Sequence, residues 1–215
     1  MPTATLSGTM GFMGEMTVGE GTVTNAAISA TADIARSKLA QEIKTYTVPL
    51  TSLRVWDAMA TNLPTAAAND DMGLITGTPG SDVPTVQGVD FGGTTSDEKA
   101  GFEVVLPPEY DAGNTVTLRL RAAMLTTVSD TSCTVDLQCY KSDRDGVASA
   151  DLCATAAQSM NTLTPANYDF TITPTGFTAG NRLVFVIAFA GSDTGDAGTM
   201  IPEISEIELL LDVRG

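Results

Sequence analysis

The chain has 215 residues, 11 Lys plus Arg against 26 Asp plus Glu, and no histidine, for a net charge of −15. That balance excludes a nucleic-acid partner, which needs basic compensation of its phosphates. The missing imidazole removes the commonest general base, the usual serine and cysteine triads and the commonest transition-metal ligand.

A hydrophobic content of 43% is enough to fill a core. No stretch of about 18 apolar residues offers a membrane span. The opening MPTATLSGTMGF lacks the basic and apolar regions of a signal peptide.

Residues 1–27 are rich in Gly, Thr and Met and hold no Lys or Arg, yet carry Leu6, Met10, Phe12, Met13, Met16 and Val18. They read as an extended arm that packs on a partner, or else as a solvated tail. Ile28, Ala32, Ala35, Leu39 and Ile43 then recur at helical spacing, with Asp33 placed to cap Arg36–Glu42. This predicts a short amphipathic helix, so residues 1–44 form an arm and helix, and residues 45–215 the folded body.

From there the pattern is β. Thr45–Leu50 and Leu53–Trp56 read as strands, Asp57–Leu63 as a turn of helix, and residues 64–84 as a long loop holding at most Met72–Ile75. Val86–Phe91 follows, then a turn over Gly92–Lys99 and a strand over Phe102–Leu106 ended by Pro107 and Pro108.

In Thr115–Met124, Val116, Leu118 and Leu120 alternate with Thr117, Arg119 and Arg121, the period of a half-buried strand. Thr131–Tyr140 alternates likewise and reads as its hairpin partner through a turn at Thr126–Asp130. Leu152–Thr164 is a turn of helix or an irregular strand. Tyr168–Ile172 is a strand. Arg182–Ala190 is apolar throughout its middle, as expected of a strand covered on both faces. Glu203–Val213 closes the series with Ile204, Ile207, Leu209 and Leu211.

Eight to ten strands predict an all-β fold: an antiparallel β-sandwich, jelly-roll-like, with Leu118, Leu120, Val135, Leu137, Val184, Ile187, Leu209 and Leu211 inward. An immunoglobulin-like sandwich fits less well, because Trp56 lies far upstream of all three cysteines. Cys133 and Cys139 share a strand face but sit too far apart to bond, while Cys153 could pair with either. The odd count favours buried free thiols over a disulfide framework.

Sites of chemistry are sparse. Asp70 with Asp71, and Asp143 with Asp145, are acidic pairs in Gly- and Ser-containing loops, best read as solvated turns. Asp143, Asp145, Asp193 and Asp196 offer weak calcium ligation at most, without EF-hand spacing. Tyr46, Trp56, Tyr110, Tyr140 and Tyr168 could stack on a sugar, but core and subunit-contact roles account for them more simply. The sequence nominates no catalytic residue, no cofactor and no metal site, and the expectation is a protein that is not an enzyme.

The phrases IARSKLAQE (34–42), RVWDAMATNLP (54–64), LPPEYDAGNTVTLRLRAAM (106–124) and DLCATAAQSMNTL (151–163) resemble virion structural proteins of tailed bacteriophages. The resemblance implies a virion location and a role in capsid decoration or as a head- or tail-fibre knob. It also implies a homo-oligomer, a trimer, anchored to the major capsid protein or another virion protein through residues 1–44. The competing expectations are a carbohydrate-binding module for host-surface glycans and a bacterial surface-layer or pilus-like subunit.

Overall fold

A computed structural model describes residues 40–78, 81–90, 95–125, 131–142, 146–193 and 200–214. Among them are ten strands: β1 (Gln41–Thr47), β2 (Gly73–Ile75), β3 (Thr85–Gln87), β4 (Thr95–Val105), β5 (Val116–Met124), β6 (Thr131–Ser142), β7 (Gln158–Ser159), β8 (Ala166–Ile172), β9 (Arg182–Asp193) and β10 (Pro202–Arg214). A 3-10 turn spans Leu50–Ser52.

The strands form two antiparallel sheets. One runs β2-β3-β10-β5-β8, with β1 also paired to β10; the other runs β4-β9-β6-β7. The fold is an all-β, jelly-roll-like sandwich, as the period-two pattern predicts.

Alternation decides which residues make the core. In β5, Val116, Leu118, Leu120 and Ala122 are buried while Thr117 and Arg119 are only half covered. Tyr168, Phe170 and Ile172 of β8 face the same way, as do Ile204, Ile207, Leu209, Leu211 and Val213 of β10. The odd step from Ile204 to Ile207 is a bulge, where the register with β5 shifts between Ile204 and Glu206. The opposite sheet contributes Cys133, Val135, Leu137 and Cys139 from β6, and Leu183, Phe185, Ile187 and Phe189 from β9.

Six sequence expectations are corrected. Val184 does not point inward with Ile187: residues three apart on a regular strand lie on opposite faces, and Val184 lies on the outer one. The β5 and β6 strands are not a hairpin. β5 pairs with β10 and β8, β6 with β9 and β7, so the chain crosses from one sheet to the other between them.

Thr95–Lys99 is not a turn but the first half of β4, in continuous register with β9 from Thr95↔Ser192 to Val105↔Arg182. Its polar sequence mimics a loop because the ladder is made by backbone groups. Glu98, which looks solvated, is fully buried opposite Phe189.

Gln41, Glu42 and Ile43, expected at the end of a helix, open β1, seven residues in register with β10. Pairing with an existing strand outweighs helical periodicity in so short a segment. The rest of the expected helix and the arm lie outside the described residues. Leu53–Trp56 forms only isolated bridges, from Arg54 to Asn62 and to Gly101, and Asp57–Leu63 makes turns rather than helix.

Candidate functional site

The two sheets differ on their outer faces. On the β5 sheet the two arginines of β5 meet acidic or polar partners on the neighbouring strands. Arg119 lies opposite Glu208 of β10 and Asp169 of β8. Its Nε and Nη2 donate to the two Asp169 carboxylate oxygens at 2.7 and 2.8 Å, and Nη1 stands 3.9 Å from Glu208. The paired guanidinium holds the Asp169 carboxyl below its usual range. Arg121 lies between Glu206 and Asn167. This is a self-satisfied, solvated face.

The outer face of the β4–β9–β6 sheet has an apolar floor instead. Val184, Val186, Ala188 and Ala190 of β9 run down its middle, all half-buried. Beside them on β4 lie Glu103, Gly101, Lys99 and Asp97, and on β6 Tyr140, Gln138, Asp136 and Thr134, row by row. The segment after the 3-10 turn folds over the β4 side. Arg54 and Gly101 exchange backbone hydrogen bonds at 2.8 and 2.9 Å. A Cβ on Gly101 would fall 2.6 Å from Met59 Sδ and 3.5 Å from Trp56 Cα, so Gly101 is what lets Met59 lie against the sheet.

Trp56 is fixed on that side. Its Nε1 donates to Asp70 Oδ2 at 3.1 Å, and Lys99 Nζ sits over its ring, 4.6 Å from the centroid. The other margin carries Tyr140, with β9 alone between its strand and β4; the two flanking strands are about 10 Å apart.

Two recesses open here. One, of about 440 Å³, is lined by Ser52, Arg54, Met59, Ala60, Phe102 and Glu103. The other, of about 220 Å³, is lined by Tyr140, Val184, Ala148 and their neighbours, including Val147, which is 65% exposed. The face thus combines an apolar floor, an aromatic at each margin and charges at the rim.

The sequence-nominated residues scatter. Among the aromatics, Trp56 and Tyr140 reach this face. Tyr110 and Tyr168 are core residues, and Tyr46 on β1 donates from its hydroxyl to Glu109 Oε1 at 2.8 Å. Asp70 and Asp71 do adjoin it: Asp71 bridges Lys99, and burial, then the charges of Asp70 and Asp57, raise its pKa.

Asp143, Asp145 and Asp196 lie outside the described residues, as does the Asp193 side chain. Among the described residues no group of three or more His, Cys, Asp or Glu is placed to hold a metal, and no helix is long and apolar enough to cross a membrane. Sequence reasoning missed Lys99, Gly101 and Met59. The one available signal was the unbroken apolar run of β9, whose second face needs neighbours.

No protein-family model and no curated protein matches the chain. Solved structures with a similar fold include the xylan-binding module CBM15, 12% identical, covering 81% of this chain and 100% of that one with a TM-score of 0.43. The CBM36-1 domain of a multidomain xylanase from the hindgut metagenome of Trinervitermes trinervoides is 13% identical, covering 78% and 96% with a TM-score of 0.37. The infectious bursal disease virus Gx strain structure is 12% identical, covering 87% of this chain and 54% of its own, with a TM-score of 0.32. Such distant likenesses transfer neither ligand nor activity.

Proposed function

We propose that this chain is a non-enzymatic virion structural protein, a capsid decoration or fibre-knob subunit held in the particle by residues 1–44 and assembled as a homotrimer. The observation that carries the reading is how the N-terminal side of the chain joins the sandwich. Six of the seven residues of β1 are exposed, and Ile43, its third residue, is 69% exposed. β1 is thus tied to β10 by its backbone ladder while its side chains add little to the core. An edge strand of this kind is a template for another chain.

Upstream of it the sequence has Phe12 and a cluster of methionines, side chains that adapt to irregular grooves. The resemblance to tailed-phage virion proteins points the same way.

The test is composition. Virions purified from the host that encodes the chain contain it in a fixed ratio to the major capsid protein. Its absence from particles, with abundance in the remaining lysate, contradicts the reading. Sedimentation equilibrium of the full chain at micromolar concentration gives the trimer mass, and a monomer contradicts the assembly.

A second reading, binding of host-surface glycans, is favoured by Trp56 and Tyr140 at the two margins of the apolar face. Binding on a glycan array that is lost in Trp56→Ala supports it. An array with no signal removes it.

A further inference from the structure

We infer that Cys139 and Cys153 are a cross-linking pair, which oxidation joins into a disulfide bracing the two sheets, while Cys133 takes no part. Residues 148–154 form a strap between the sheet edges. At one end Ala148 bridges Ser142, Ser149 N–H donates to the Lys141 carbonyl at 3.1 Å and Leu152 N–H to the Cys139 carbonyl at 2.8 Å, all on β6. At the other end Cys153 bridges Ile172 of β8, and Ala154 N–H donates to the Thr171 carbonyl at 2.8 Å. The strap thus runs from one sheet to the other across the open side of the sandwich.

Asp151 brings the cysteines together. Its Oδ1 accepts from the backbone N–H of Cys139 and from that of Cys153, each at 2.9 Å. Two nitrogens bound to one oxygen at that distance are at most about 6 Å apart. Each Cα lies about 1.46 Å from its nitrogen, so the Cα atoms are within about 9 Å of each other, and a small local shift of the strap brings them into the range of about 4.4–6.8 Å that a disulfide needs.

The Cys139 side chain is fully buried and Cys153 half-buried against the same core. Cys153 Sγ now donates to the Thr155 carbonyl at 3.5 Å, and a change of side-chain rotamer is what turns it toward Cys139. Cys133, six residues up β6 from Cys139, is about 20 Å away along the strand.

The chemistry is exchange with a small-molecule disulfide. The Cys153 thiolate, the more exposed, attacks one reagent sulfur and expels the other half as a thiol, giving a mixed disulfide. The Cys139 thiolate then attacks the Cys153 sulfur and expels the second half. The protein loses two protons and two electrons, and the reagent is reduced to two thiols. Burial raises the pKa of both cysteines, so the reaction speeds up in alkali.

The test treats the full chain with 2-hydroxyethyl disulfide at pH 9, followed by acid quench, alkylation in denaturant and peptide mass spectrometry. The expected product is a Cys139–Cys153 linked peptide lighter by two hydrogens, with Cys133 alkylated. The oxidised protein should melt about 5–10 °C higher than the reduced one, because a loop of this size is closed in the unfolded chain. Cys153→Ser should show no such rise.

Three alkylated cysteines, a link through Cys133, or a lasting mixed disulfide on Cys153 beside an alkylated Cys139 overturns the pairing. A linked peptide with unchanged melting overturns the bracing role.

Discussion

Phe102 of β4 and Phe185 of β9 stand opposite each other in register and stack with ring centroids 5.0 Å apart and planes 18° apart. Both are fully buried. The pair ties the edge strand that carries the candidate face to the centre of its sheet, so Phe185→Ala removes both area and stacking. Urea unfolding should show a loss of about 3–5 kcal/mol; a loss below about 1 kcal/mol would mean that this part of the core relaxes freely.

The Arg119–Asp169 pair predicts an acid-sensitive but small contribution. Its guanidinium holds the Asp169 carboxyl below the ordinary 3.8. A depressed carboxyl stabilises the fold above its unfolded pKa, and that share disappears as pH falls below about 4 through the folded value. Both side chains are partly exposed, so Arg119→Met should lose about 0.2–1 kcal/mol at pH 7. At pH 2 the variant and parent should converge in urea titrations. A difference that persists there would assign the effect to packing.

Tyr110 predicts an alkaline limit. Its hydroxyl donates to the Asn114 carbonyl, and burial, then the charges of Asp212 and Asp111, push its pKa up to about 12. Tyr46 is likewise pushed up to about 12, first by burial and then by Glu109. A phenol with a raised folded pKa gives stability that is complete below its unfolded value near 10 and is lost as pH rises from there to about 12. Tyr110→Phe should lose about 1 kcal/mol at pH 7 with its hydrogen bond. Its stability should then fall less steeply than the parent's between pH 10 and 12, as thermal melts in that range will show.

Gly73 and Gly113 separate two reasons for a glycine. A Cβ on Gly73 would lie 2.3 Å from Ala67 N and 2.5 Å from Ala66 C, both backbone atoms. Gly73→Ala must therefore push the 66–67 segment off β2, at about 1–3 kcal/mol. Gly113 has φ +82° and open space around it, so Gly113→Ala meets only backbone strain of about 1 kcal/mol. Melting curves should place Gly73→Ala below Gly113→Ala; the reverse order would mean that residues 66–67 yield easily.

Much of this fold is legible in the alternation of β5, β6, β9 and β10, because burial imposes period two on any strand with one face on a core. Val184 shows the limit: a strand apolar on both faces carries no parity signal, so Leu183 and Val184 look alike. The partner of β5 was illegible for another reason. Sequence order favours β6, but the pairing is set by which sheet completes the core, and that is a property of all the strands together. Glu98 hides a strand because a polar run reads as a turn. At the candidate face, Trp56 and Tyr140 stood out as large aromatics, yet so did Tyr110 and Tyr168, which are core. Lys99 and Gly101 acquire their meaning only from the segment folded over them.

The measurement that tests the account most directly is particle binding by a deletion. The full chain and a form lacking residues 1–24 are mixed with virions that lack the protein, and the bound fraction is read after pelleting, with circular dichroism confirming a β spectrum for both. The account predicts saturable binding of the full chain and loss of binding by the folded deletion. Equal binding of the two would contradict it.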